Sequence, residues 1–145
     1  MNSAVATKPR DDIERIYHEW NDALSHKNMA ALLALYAPDA VLESPLIPHL
    51  LKRENGICRG HEELRQLFEE LARTQPKTRQ FHRTSYFTDG KKVMWEYPRE
   101  SPQGDQQDFV EVMEIENGLI QKHRVYWGWF GVGVLKRDEH HKNKS

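Results

Sequence analysis

Gln107-Asp108-Phe109-Val110-Glu111-Val112-Met113-Glu114-Ile115 and Leu119-Ile120-Gln121-Lys122-His123-Arg124-Val125-Tyr126-Trp127 both alternate with period two. Glu116-Asn117-Gly118 lies between them and reads as a three-residue turn, with Gly where a left-handed residue is needed. Closing that turn with Ile115 opposite Leu119 predicts the pairs Met113–Gln121, Glu111–His123, Phe109–Val125 and Gln107–Trp127. One face then carries Phe109, Met113, Ile115, Val125 and Trp127, with Glu111 and His123 side by side among them. Apolar surroundings raise the pKa of a carboxylic acid, and an adjacent imidazole pulls the other way. A carboxylate beside an imidazole on such a face is a candidate general acid/base pair.

The preceding hairpin extends the row. Val93, Trp95, Tyr97 and Arg99 alternate with Met94, Glu96, Pro98 and Glu100. Ser101-Pro102-Gln103-Gly104 places Pro and Gly where a type I turn with a following left-handed residue wants them. Ser101 opposite Asp105 sets Arg99 on Gln107, Tyr97 on Phe109, Trp95 on Glu111 and Val93 on Met113. The predicted line across three strands is Trp95, Glu111, His123, and a one-residue slip would dissolve it.

Working outward, the 145 residues suffice for one domain with a real core. Hydrophobic residues are 38%, charged residues 30% and the net charge is −1, so composition favours neither nucleic acid nor an anionic membrane as partner. The single cysteine, Cys58, forms no internal disulfide and fits a reducing compartment. The N-terminal stretch lacks a signal-peptide core and no apolar run spans a bilayer, so the cytoplasm is expected.

Residues 1–9 read as a disordered lead, 10–135 as one domain and 136–145 as a charged tail. Asp11 and Asp12 cap a helix to about Lys27, with Ile13, Ile16, Tyr17, Trp20 and Leu24 on one face. Asn28 caps a short helix through Leu32, Leu33, Leu35 and Tyr36 that ends at Pro38. Residues 40–44 read as a strand stopped by Pro45, and 46–59 as a long, lid-like loop. His61 to Arg73 is a third helix; strands follow at 79–87, 91–100, 106–116 and 119–128. Gly128, Gly131 and Gly133 follow a strand and are expected to precede no helix. The fold class is α+β: three N-terminal helices on a curved antiparallel sheet, forming a cone with a pocket.

The ordered set "LLALYAPDAVLESP", "CRGHEELRQLFEEL" and "FVEVMEIENGLIQKHRVYW" resembles the nuclear transport factor 2-like superfamily over residues 10 to 130, in its SnoaL-like and ketosteroid-isomerase-like branch. The resemblance implies a conical apolar cavity and commonly a homodimer through the outer sheet face. In the isomerases a catalytic Asp precedes the Pro that ends the first strand. Here that position is Ser44, which is no carboxylate base. Their oxyanion-hole Tyr falls at Trp20, an indole donor, and their second Asp falls at Glu111. SnoaL-like cyclases often place an acid at the Glu111 position and a His at the His123 position. The resemblance thus favours cyclase-type proton transfer over steroid isomerisation.

Two readings of the pair stay open: a buried structural couple, or catalytic Glu111 and His123 in an enzyme of cyclase, isomerase or dehydratase type. Trp20, Ser44, Trp95, Tyr97, Arg99, Phe109, Met113 and Trp127 are the expected binding residues, although the aromatics equally suit a plain core. Arg99 is either a pocket cation or a solvated strand-end charge. His82 faces the pocket or away, depending on the Asp89-Gly90 turn. His61 reads as a helix-start residue, and neither it nor His49 forms a metal-ligand spacing with other residues. No metal and no cofactor are expected. The expected partners are a small hydrophobic molecule and a second copy of the chain, through Met94, Val110, Val112 and Tyr126.

Overall fold

The computed structural model describes residues 9–74, 83–97 and 108–137. Helix α1 (Pro9–Ser25) carries Asp11 and Asp12 in its first turn, where carboxylates favour the positive end of the helix dipole. It buries Ile13, Ile16, Tyr17, Trp20, Ala23 and Leu24, the stripe that the spacing predicts. Helix α2 (Met29–Leu33) is capped by Asn28, whose side chain accepts from the Ala31 N–H at 3.1 Å. It ends at Leu33, a turn at Ala34 and Leu35 follows, and Tyr36 already begins strand β1 (Tyr36–Glu43).

The loop expected at 46–59 contains helix α3 (Leu46–Leu51) and strand β2 (Ile57–Arg59). Helix α4 (Gly60–Thr74) buries Leu64, Leu67 and Phe68. The remaining strands are β3 (Phe87–Thr88), β4 (Lys92–Glu96), β5 (Phe109–Glu116) and β6 (Leu119–Trp127). Residues 83–86 are irregular, so the described part of the expected 79–87 strand shrinks to its end. The turn at 101–104 lies outside the described residues.

The sheet order is β2-β1-β6-β5-β4-β3. The sheet is mixed rather than wholly antiparallel, because β1 runs parallel to β6. β1 enters beside the β5–β6 turn, with Tyr36 against Ile120, and so must travel with β6. Pro38, which lacks an N–H, sits where the β1–β6 register shifts between Tyr36 and Val41.

The β4–β5 register is the expected one, with Trp95 opposite Glu111 and Val93 opposite Met113. The β5–β6 register differs. Asn117 and Gly118 both have positive φ, 52° and 75°, and form a two-residue turn that pairs Glu116 with Leu119. Gln121 then bulges out, since Ile115 pairs with Ile120 but Glu114 with Lys122. Glu111 therefore opposes Val125, and His123 opposes Met113. The net offset is two residues, which preserves the faces, so Glu111 and His123 become diagonal neighbours on the buried side.

A fifth helix, α5 (Trp129–Lys136), follows β6 where no helix was expected. Its cap comes from a distant residue. Asp108 accepts from the Gly131 N–H through Oδ2 at 2.9 Å, and from the Gly128 N–H through its carbonyl at 2.8 Å. A Cβ on Gly128 would meet the Asp108 carboxylate at 2.4–2.7 Å. Among the described residues no helix is long and apolar enough to cross a membrane.

Candidate active site

The buried face of the sheet presents Glu111 from β5 and His123 from β6, 4% and 3% exposed. Glu111 Oε1 lies 2.6 Å from His123 Nε2. The diagonal geometry lets two long side chains lean toward each other, which directly opposed side chains of this length would do less well. On the other side of the ring, His123 Nδ1 lies 2.8 Å from Tyr36 Oη. That oxygen accepts from Trp20 Nε1–H at 3.0 Å. Tyr97 O–H donates to Glu111 Oε2 at 3.4 Å. A chain of buried polar contacts thus runs from Trp20 on α1 through Tyr36 on β1 and His123 on β6 to Glu111 on β5.

Burial pushes the Tyr36 phenol far above the usual tyrosine range; the Trp20 donor opposes this and the nearby Glu111 carboxylate adds to it.

A cavity of about 70 Å³ reaches this pair. Trp20, Leu24 and Leu32 wall it from α1 and α2; Tyr36, Leu42 and Ser44 line it from β1 and its end. Leu46 of α3 and Leu67, Phe68 and Leu71 of α4 form another side, and Phe109, Glu111, His123, Val125 and Trp127 form the sheet side. The lining is apolar apart from Glu111, His123, Tyr36, Ser44 and the indole nitrogens. Ser44 Oγ accepts from the Leu46 N–H at 3.1 Å, in the turn that leads from β1 into α3.

Of the expected site residues, Glu111, His123, Trp20, Ser44, Phe109 and Trp127 converge on the cavity. Trp95 and Met113, also expected as binding residues, are buried on the same face and are not among the residues that line this cavity. Trp95 packs edge-on against Tyr17 and Trp20, with ring centroids at 5.1 and 5.4 Å, which takes it out of the cavity. Tyr97 acts on Glu111 rather than on the cavity wall. Arg99 and His82 lie outside the described residues.

Sequence reasoning missed Tyr36. Its signal is weak, because the irregularity around Pro38 breaks the alternation that would join it to Leu42 and Ser44. His61 is structural: its Nε2–H donates to the Tyr36 carbonyl at 2.8 Å. Cys58 is buried, and burial pushes its thiol up despite the Arg53 guanidinium nearby, which makes it a poor nucleophile. Among the described residues no group of three or more His, Cys, Asp or Glu is placed to hold a metal ion.

The family model of the SnoaL-like domain matches residues 17–123, and the chain belongs to that family. The fold is the nuclear transport factor 2-like fold. A SnoaL-like protein of unknown function from Burkholderia thailandensis is similar at 20% identity and a TM-score of 0.68, covering 82% of this chain and 96% of that one. An epoxide hydrolase/cyclase-like enzyme, SalBIII, with a role in pyran ring formation in the polyether salinomycin, is similar at 18% identity and a TM-score of 0.64, covering 86% and 97%. A de novo designed protein with a curved β-sheet is similar at 20% identity and a TM-score of 0.63, covering 88% and 94%. Likeness at this identity carries the fold alone, as the designed protein illustrates. No curated protein matches the chain.

Proposed function

We propose that this SnoaL-like protein binds a small, uncharged hydrophobic molecule in its cone and moves a proton on it without a cofactor, as cyclases, isomerases and dehydratases do. The observation that carries this reading is the contact of a buried carboxylate and a buried imidazole at the wall of an apolar cavity. Among the described lining residues there is no Lys or Arg, so a carboxylate or phosphate ligand would meet Glu111 without a countercharge. A ligand with an acidic C–H next to a carbonyl suits this wall. The cyclase-like neighbour SalBIII gives the reading a precedent on the same fold.

The cavity size favours a second reading. About 70 Å³ is below the range of roughly 300–1,000 Å³ typical of ligand pockets, and a non-catalytic module with a structural polar pair would look alike. Deuterium exchange separates the two. Small cyclic ketones incubated with the protein in heavy water are followed by proton NMR. Accelerated α-proton exchange, reduced about 10²–10⁴-fold in Glu111→Gln, supports the enzyme. Binding without exchange supports the module.

We also propose a homodimer through the outer sheet face. Met94 and Tyr126 are exposed there, at 42% and 51%, beside half-buried Val110 and Val112. Phe87 pairs with Met94, and Met94 with Val112, so the apolar residues form a cross-strand row.

A further inference from the structure

The order of donors in the buried chain decides which member of the pair can take a proton. Trp20 Nε1 is only a donor, and its partner is Tyr36 Oη. Tyr36 is 1% exposed and burial holds its phenol protonated. Its hydrogen needs an acceptor, and among the described residues the one within reach is His123 Nδ1 at 2.8 Å. A proton on Nδ1 would set two hydrogens facing each other and leave a buried O–H without an acceptor. Nδ1 therefore carries a lone pair. A neutral imidazole then holds its hydrogen on Nε2, which donates to Glu111 Oε1 at 2.6 Å.

We propose that Tyr36 is a positioning residue that locks His123 as the neutral Nε2–H tautomer, leaving Glu111 as the base. Both imidazole nitrogens are engaged, so His123 has no lone pair for a ligand's proton. The Glu111 carboxylate, which accepts from His123 and from Tyr97, still has lone pairs toward the cavity. A ligand C–H proton would pass to a Glu111 oxygen, with the C–H electron pair delocalising into the ligand's carbonyl. The return of that proton to another ligand atom restores the carboxylate. The assignment of Glu111 as base rests on the proton-transfer reading; the tautomer of His123 does not.

The test reads the tautomer directly. The full-length protein is labelled with nitrogen-15 in its eight histidines, and His123 is assigned by its loss in His123→Gln. Long-range proton–nitrogen correlation should show a pyrrole-type Nε2 and a pyridine-type Nδ1. Tyr36→Phe removes the donor to Nδ1, and in it His123 should populate both neutral tautomers. A protonated Nδ1 in the unaltered protein, or a Tyr36→Phe spectrum identical to it, would overturn the proposal. If Tyr36→Phe does not fold, the unaltered protein decides: a Tyr36 hydroxyl proton correlated across the hydrogen bond with His123 Nδ1 supports the lock, and a proton bonded to Nδ1 overturns it. Failure of the proton-transfer reading is separable, because it appears as undiminished ketone exchange in Glu111→Gln while the tautomer stays as stated.

Discussion

Glu111 and His123 are diagonal neighbours in a dry wall, and their geometry separates the effect of charge from that of shape. Glu111→Gln keeps an acceptor for Nε2–H, so urea denaturation should give a stability loss of only about 1 kcal/mol. Glu111→Ala leaves the neutral imidazole donor buried without that partner and should cost more, roughly 2–3 kcal/mol. A change of similar size in both variants would show that the pair is not held as described. Tyr36 supplies a pH dependence with a definite sign. Its pKa is raised in the folded protein, so its contribution to stability is complete below the unfolded tyrosine pKa of about 10 and is lost as pH rises above it. Above about pH 10 the stability difference between the unaltered protein and Tyr36→Phe should fall by ~1.4 kcal/mol per pH unit. Parallel stability curves from pH 8 to 11 (about the tyrosine range) would contradict this.

At the scale of elements, two short segments decide the site, the Asn117-Gly118 turn and the Asp108 cap. Gly118 has a φ of 75°, and Gly118→Ala should destabilise by about 1 kcal/mol through strain in the left-handed region. The same turn, with the Gln121 bulge, sets which β6 residues face β5. Asp108 caps α5 across the sheet end, at 2.9 Å to the Gly131 N–H. Asp108→Ala should cost about 1 kcal/mol. Hydrogen exchange should speed up at Gly131 while the β5 amides stay protected. Uniform acceleration would mean that Asp108 supports the whole fold rather than one helix.

At the scale of the molecule, the outer face joins Phe87, Met94 and Val112 in a row, beside Val110 and Tyr126. If the proposed homodimer forms through this face, Val112→Glu should give a folded monomer of half the mass by sedimentation equilibrium, with an unchanged circular dichroism spectrum. An unaltered protein that sediments as a monomer would remove this interface.

The sequence by itself determined the faces. Period-two alternation is covalent geometry, so Glu111 and His123 had to share a side with Phe109 and Met113 under any even offset. The helical stripe of Ile13, Ile16, Tyr17, Trp20 and Leu24 was equally local, as were the β4–β5 pairs Trp95–Glu111 and Val93–Met113. Tertiary structure alone decided the rest. The two-residue turn and the compensating bulge moved Glu111 from opposite His123 to its diagonal, because pairing depends on both strands at once. Tyr36 entered the site because β1 docks parallel on β6, and α5 exists because Asp108, twenty residues upstream of Gly128, supplies its cap. Whether an aromatic lines the cavity or fills the core also depends on what reaches it from elsewhere. Trp95 meets Tyr17 and Trp20, whereas Trp127 stacks on Phe109 and lines the cavity, and nothing in the spacing of either strand distinguishes them.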